Sequence, residues 1–143
     1  MKLRMVIAGG RNFDDYSKLN AVCSGVIKAM EEGSGQKFES IEIISGRAKG
    51  ADTLGERFAQ ESGYVLKMFP ADWNGFGKFA GYMRNEQMAK YAACVDTPDI
   101  RNDVQAILCA FWDGRSRGTK NMISFAHMYE FNNIVIELYQ VEK

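Results

Sequence analysis

Ile41-Glu42-Ile43-Ile44-Ser45-Gly46-Arg47-Ala48-Lys49-Gly50-Ala51-Asp52 is the stretch whose reading decides the fold class. Its apolar start is short and stops at Ser45-Gly46, as a strand covered on both faces does. Its end leads through a glycine-bearing loop into Ala51 to Glu61. There Leu54, Phe58 and Ala59 recur at helical spacing, and Gly63 lies just beyond. A strand that turns directly into a helix is half of a parallel βαβ unit.

The same unit recurs on either side. Leu3 to Ala8 stops at Gly9-Gly10, Val65 to Phe69 at Pro70, and Ile107 to Trp112 at Asp113-Gly114, while Ile134 to Tyr139 forms a last apolar run. Helices fall between. Asp14 or Asp15 caps one carrying Leu19, Val22, Cys23, Val26, Ile27 and Met30, ended by Gly33; Phe79 to Cys94 and Gly118 to Phe131 give two more. Ser34 to Ser40, and Asp96 to Asp103 with Pro98, read as exposed connections. Strands separated by helices pair in parallel through right-handed crossovers. The expectation is an α/β fold: one Rossmann-like three-layer sandwich over residues 1–143, with a five-stranded parallel sheet and helices on both faces.

Composition narrows the function. The chain has 143 residues, 18 Lys+Arg against 18 Asp+Glu, and is 46% hydrophobic and 25% charged. Such a length suits one domain, which buries about two-thirds of its unfolded surface. No apolar run reaches the roughly 18 residues of a membrane span, and Met5 to Gly10 is too short for a secretory core. A cytoplasmic protein without a membrane partner is expected. Cys23, Cys94 and Cys109 are an odd number without metal-ligand spacing and read as reduced thiols, the first and last in the core. His127 is the single histidine, which argues against a His-rich metal site or a serine-hydrolase triad. It reads as a packing or surface residue; no metal or cofactor is expected. Zero net charge argues against bulk attraction to DNA.

In an open parallel sheet, ligands bind beyond the carboxyl ends of the strands. Four loops lie there: Gly9-Gly10-Arg11, Ser45 to Asp52, Pro70-Ala71-Asp72-Trp73, and Asp113-Gly114-Arg115-Ser116-Arg117-Gly118-Thr119. Three are rich in glycine with Ser, Thr, Arg or Lys between. Glycine admits close backbone approach, helix N-termini present unpaired N–H donors, and hydroxyl and guanidinium groups add phosphate contacts. Neither the P-loop spacing nor G-x-G-x-x-G occurs, which removes support from NTPase and ordinary dehydrogenase readings.

Each side chain has two readings. Arg11 contacts ligand or is a solvated charge. Ser45 touches phosphate or satisfies its loop, and Asp52 reaches a ribose hydroxyl or complements the helix dipole. Arg84 and Asn85 point in different directions, with Arg84 toward the ligand and Asn85 tying down a loop. Ser116 and Thr119 bind phosphate, or Thr119 is a helix N-cap. Gly50 gives the ligand room to approach the backbone. Trp73, Phe76 and Phe79 form a lid over a base, or a flap packed on the sheet or on a second subunit. Trp112, at a strand end, reads as a site residue.

Gly9-Gly10-Arg11-x-Phe13, Ser45-Gly46-x-Ala48-x-Gly50-Ala51-Asp52, Arg84-Asn85-x-x-Met88 and Gly114-x-Ser116-x-Gly118-Thr119 resemble the SLOG superfamily, which includes the lonely-guy phosphoribohydrolases and the DNA-processing protein A fold. The closest resemblance is to its small YspA-like branch. The resemblance implies a nucleotide or ADP-ribose-like ligand, bound by a sensor or sequestering protein through Gly9, Gly10, Arg11, Ser45, Gly46, Gly50, Ala51, Asp52, Arg84, Asn85, Gly114, Ser116, Gly118 and Thr119. It also implies a homo-oligomer. Two alternatives accompany it: a nucleoside 5′-monophosphate phosphoribohydrolase and a DNA-binding module. Arg84 matches the arginine of the lonely-guy enzymes, but their glutamate falls at Asn121, which cannot act as a general acid or base. Asp113 or Asp52 is the substitute carboxylate.

Charge position completes the reading. Arg11, Arg47, Lys49, Arg115, Arg117 and Lys120 fall in or beside the strand-end loops, while Glu31, Glu32, Glu39 and Glu42 fall toward the opposite ends. A neutral total then conceals a basic mouth suited to a small phosphorylated ligand.

Overall fold

The computed structural model describes residues 1–95 and 101–137, with Arg101 and Asn132–Glu137 described by backbone alone. Along the chain run β1 (Lys2–Gly9), α1 (Tyr16–Ser34), β2 (Ser40–Ser45), α2 (Ala51–Ser62), β3 (Val65–Met68), α3 (Trp73–Phe76), α4 (Ala80–Ala92), β4 (Val104–Trp112), α5 (Arg117–Met128) and β5 (Asn132–Glu137). All strand pairs are parallel, in the order β3-β2-β1-β4-β5. The chain starts at the centre, winds outward through β2 and β3, then crosses back to β4. The winding direction therefore reverses between β1 and β4.

Alternation along the strands builds both layers. Leu3, Met5 and Ile7 of β1 join Ile43, Ile107, Cys109 and Phe111 on one face, against Leu19, Cys23 and Ile27 of α1 and Ala51, Phe58 and Ala59 of α2. Val6, Ala8, Ile44, Leu108 and Ala110 take the other face, against Met88, Ala89 and Ala92 of α4 and Met122 and Ala126 of α5. The fold is thus α/β, a parallel sheet flanked by helices, and each large core side chain contributes about 1.5–3 kcal/mol through burial. Cys23 and Cys109 are free and buried in the core, as the sequence predicts.

One buried charge anchors α4. Arg4 is 6% exposed. It donates to the Tyr91 carbonyl at 2.7 Å, pairs with Glu42 at 3.3 Å and lies 4.0 Å from the centre of the Tyr91 ring. The pairing satisfies a cation that would otherwise be costly to bury.

The helix ends differ from expectation at several points. α1 runs through Gly33 and stops at Gly35, whose φ of +75° and N–H to the Glu31 carbonyl form the left-handed cap. α4 ends at Ala92, before Cys94 takes φ +62°. α5 starts at Arg117 and ends at Met128, three residues short of Phe131. Trp73–Phe76, read as a flap, forms the one-turn helix α3, capped by the Asp72 carboxylate accepting from Gly75 N at 2.9 Å. Of the connection at Asp96 to Asp103, residues 96–100 lie outside the described residues, as does Tyr139, the expected end of the last strand.

Candidate functional site

Reversal of winding between β1 and β4 leaves a crevice at their carboxyl ends, where open α/β sheets hold ligands. The cleft there has a volume of about 740 Å³, within the usual range for small-molecule sites. Every strand-end loop anticipated from the sequence sends residues into it. Gly9 and Arg11 follow β1; Gly46, Arg47, Ala48, Lys49 and Asp52 follow β2; Pro70, Ala71 and Trp73 follow β3; Ser116, Gly118 and Thr119 follow β4. α4 closes it with Gly81, Tyr82, Arg84, Asn85 and Met88.

Arg84 and Asp52 are the charged pair at its base. The Arg84 guanidinium donates through Nη1 to the Gly46 carbonyl, and Nε donates to Asn85 Oδ1 at 2.9 Å. The two neighbours on α4 therefore touch, because the long Arg84 side chain folds back across its own helix. Asp52 is 5% exposed and accepts from Ala48 N at 3.4 Å. Burial pushes its carboxyl up to about 6, against the opposing pull of Arg84 and of the Ala48 and Gly46 amides. Burial lowers the Arg84 guanidinium, and Asp52 restores part of that loss. A Cβ on Gly46 would lie 2.8 Å from both Arg84 Nη1 and Asp52 Oδ2, so only glycine lets the two side chains close around it.

Asn85 ties down a loop, as expected. It is 4% exposed and donates through Nδ2 to the Gly118 carbonyl at 3.2 Å and to Asn121 Oδ1 at 2.9 Å. The N-cap of α5 is Ser116 rather than Thr119. Ser116 Oγ accepts from Thr119 N at 3.3 Å and from Thr119 Oγ1 at 3.1 Å. Ser116 thus aims the first turn of α5, with its unpaired N–H groups, at the cleft.

Other anticipated residues stand outside the lining and build the loops instead. Ser45 is fully buried; its Oγ donates to Glu56 Oε2 at 2.7 Å and accepts from Arg47 N at 3.1 Å. Gly50 has φ +84°, and a Cβ there would lie 2.2 Å from the Gly10 carbonyl oxygen. Ala51 N donates to that same oxygen at 3.3 Å. Gly10, Gly50 and Ala51 are therefore where the first two loops lock together. Asp113 accepts from Ser116 N at 2.7 Å and Arg115 N at 2.8 Å, and these amides hold its carboxyl below the usual range. Gly114 forms the same turn. Trp112 also braces this loop, donating from Nε1 to the Ser116 carbonyl at 3.1 Å.

The charge at the cleft is one-sided. Arg11, Arg47, Lys49, Lys78 and Arg84 line it, against the single carboxylate Asp52. Arg47 is committed to Glu56 at 3.0 Å. Arg115, Arg117 and Lys120, expected at the mouth, are exposed and do not line it. Of the three aromatic residues read as a lid, Trp73 lines the cleft and Phe76 and Phe79 do not. Sequence reasoning missed Lys78, Tyr82 and Met122. Tyr82 was within reach, since it lies three residues before Asn85 and so on the same helical face.

Among the described residues, no cluster of His, Cys, Asp or Glu could hold a metal, and no helix is long and apolar enough to cross a membrane. His127 is exposed in the last turn of α5. A family model described as the YspA, cpYpsA-related SLOG family matches residues 3–76, from β1 through α3. No curated protein and no solved structure matches the chain.

Proposed function

Because the chain belongs to the YspA, cpYpsA-related SLOG family, whose membership points to nucleotide-related ligands, we propose that it binds a phosphate-bearing nucleotide derivative in the cleft at the carboxyl ends of the strands. The observation that carries this reading is the meeting of Arg11, Lys49 and Arg84 with the Ser116-capped start of α5 around one cleft of about 740 Å³. Cations and unpaired helix N–H groups converge where an anion would sit. Trp73 and Tyr82, both exposed and both at the rim, offer aromatic surface to a base. In this reading residues 1–143 act as one cytoplasmic binding domain, a sensor or sequestering protein. The exposed Phe76 and Phe79 beside the cleft are the surface on which a second copy packs.

Binding without turnover is favoured over hydrolysis. Asn121 stands where a lonely-guy enzyme has its glutamate, and its Oδ1 already accepts from Asn85. Asp113 is occupied with its own loop. The balanced charge leaves the DNA-binding reading without support. Calorimetry with AMP, ADP and ADP-ribose, followed by chromatography of the same mixtures, tests the proposal. Saturable binding with every probe recovered intact is expected. Release of free base from AMP that disappears in Arg84→Ala would establish the phosphoribohydrolase instead.

A further inference from the structure

We propose that the cleft takes up its anionic ligand together with one proton, and that Asp52 carries that proton. The inference rests on the ligand reading above. The step is a protonation: an O–H bond forms at the Asp52 carboxylate, the proton comes from solvent, and nothing is oxidised or reduced.

The placement of Asp52 carries the idea. Its carboxylate lines a cleft whose other charged lining residues are cations, yet it is almost wholly withdrawn from water. The groups facing it are few. Arg84 reaches it from α4, and the Gly46 and Ala48 amides from the loop after β2. Glu56, one turn later on α2, adds a like charge. Arg47 offsets Glu56, to which it is bound at 3.0 Å, while Arg11 and Lys49 line the same cleft.

Arg84 is the charged side chain that draws Asp52 toward its ionised form, and a phosphate entering the cleft competes for it. The incoming negative charge also disfavours ionisation directly. The carboxyl already lies at about 6, so a further rise of about one unit brings its titration to neutral pH. Ligand binding near pH 7 then draws a proton from solvent, by linkage. An ordinary exposed aspartate would stay ionised throughout and couple to nothing.

ADP-ribose is the probe of choice, because its bridging phosphates keep their charge between pH 5 and 8. Calorimetry at pH 7 in buffers of different ionisation enthalpy is expected to show uptake of roughly half a proton or more per ADP-ribose in the native protein, and none in Asp52→Asn. Affinity is expected to fall about tenfold from pH 6 to pH 8 in the native protein and to stay flat in the variant. Carbon-13 titration of the Asp52 carboxyl in the native protein gives a readout that does not depend on the variant folding: its midpoint is expected to rise on saturation with ADP-ribose. Binding without proton uptake, or an unmoved midpoint, would overturn the proposal while leaving the ligand reading intact. Failure of both ADP-ribose and AMP to bind at any pH would overturn the ligand reading and the proposal together.

Discussion

Asn85 donates its side-chain amide to Asn121 across 2.9 Å, joining α4 to α5 at the cleft. The same amide holds the Gly118 carbonyl, and Asn85 Oδ1 accepts from Arg84. One buried residue therefore sets both the arginine and the start of α5. Asn85→Ala removes three hydrogen bonds, made by a buried side chain to partly buried partners. A loss of about 1–3 kcal/mol in urea unfolding is expected, with weaker AMP binding. Unchanged stability would mean that water replaces the amide.

Gly50 gives a prediction that separates packing from ligand approach. Read from the sequence, Gly50→Val blocks the ligand and leaves a folded protein. The Gly10 carbonyl oxygen, 2.2 Å from the Cβ position, and the φ of +84° point elsewhere. The substitution forces the first two loops apart and is expected to cost roughly 3 kcal/mol or more. Thermal unfolding decides the matter, and a variant with native stability and no ligand binding would restore the sequence reading.

Asp52 also leaves a signature in stability against pH. Its carboxyl is raised from an ordinary value of 3.8 to about 6. Between those values the native state holds a proton that the unfolded state has released. Stability from this group is therefore greatest below about pH 4, falls as pH rises to about 6, and is level above. Two pH units correspond to roughly 3 kcal/mol. Urea unfolding of the native protein and Asp52→Asn at pH 4, 5, 6 and 7 isolates the effect. The native protein is expected to lose stability relative to the variant over that range, and a difference independent of pH would refute the assignment.

β1, β2 and β4 were legible because both faces of the sheet are covered there, which leaves short apolar runs cut off by glycine, whereas β3 is a largely exposed edge marked by its stop at Pro70. Helix ends were less so. Gly33 and Gly35 offer equivalent stop signals, and only the carbonyl of Glu31, reached by Gly35, decides between them. Of the residues that line the cleft, Arg11, Asp52, Arg84 and Thr119 were anticipated because each sits next to a strand end or in a local motif. The roles of Ser45 and Gly50 were not legible. Their partners, Glu56 and the Gly10 carbonyl, come from other turns of chain, and spacing carries no record of such contacts. Lys78 and Met122 were missed for the same reason.

The pairing of β1 with β4 matches Lys2 to Val104 and Gly9 to Phe111. During synthesis β1 gains β2 early, but its other edge stays open until Val104–Trp112 has been made. Arg84 emerges before that strand, and Ser116 and Thr119 after it. A growing chain therefore has no cleft to offer a ligand, and meanwhile it carries an unpaired apolar strand edge of the kind that invites aggregation.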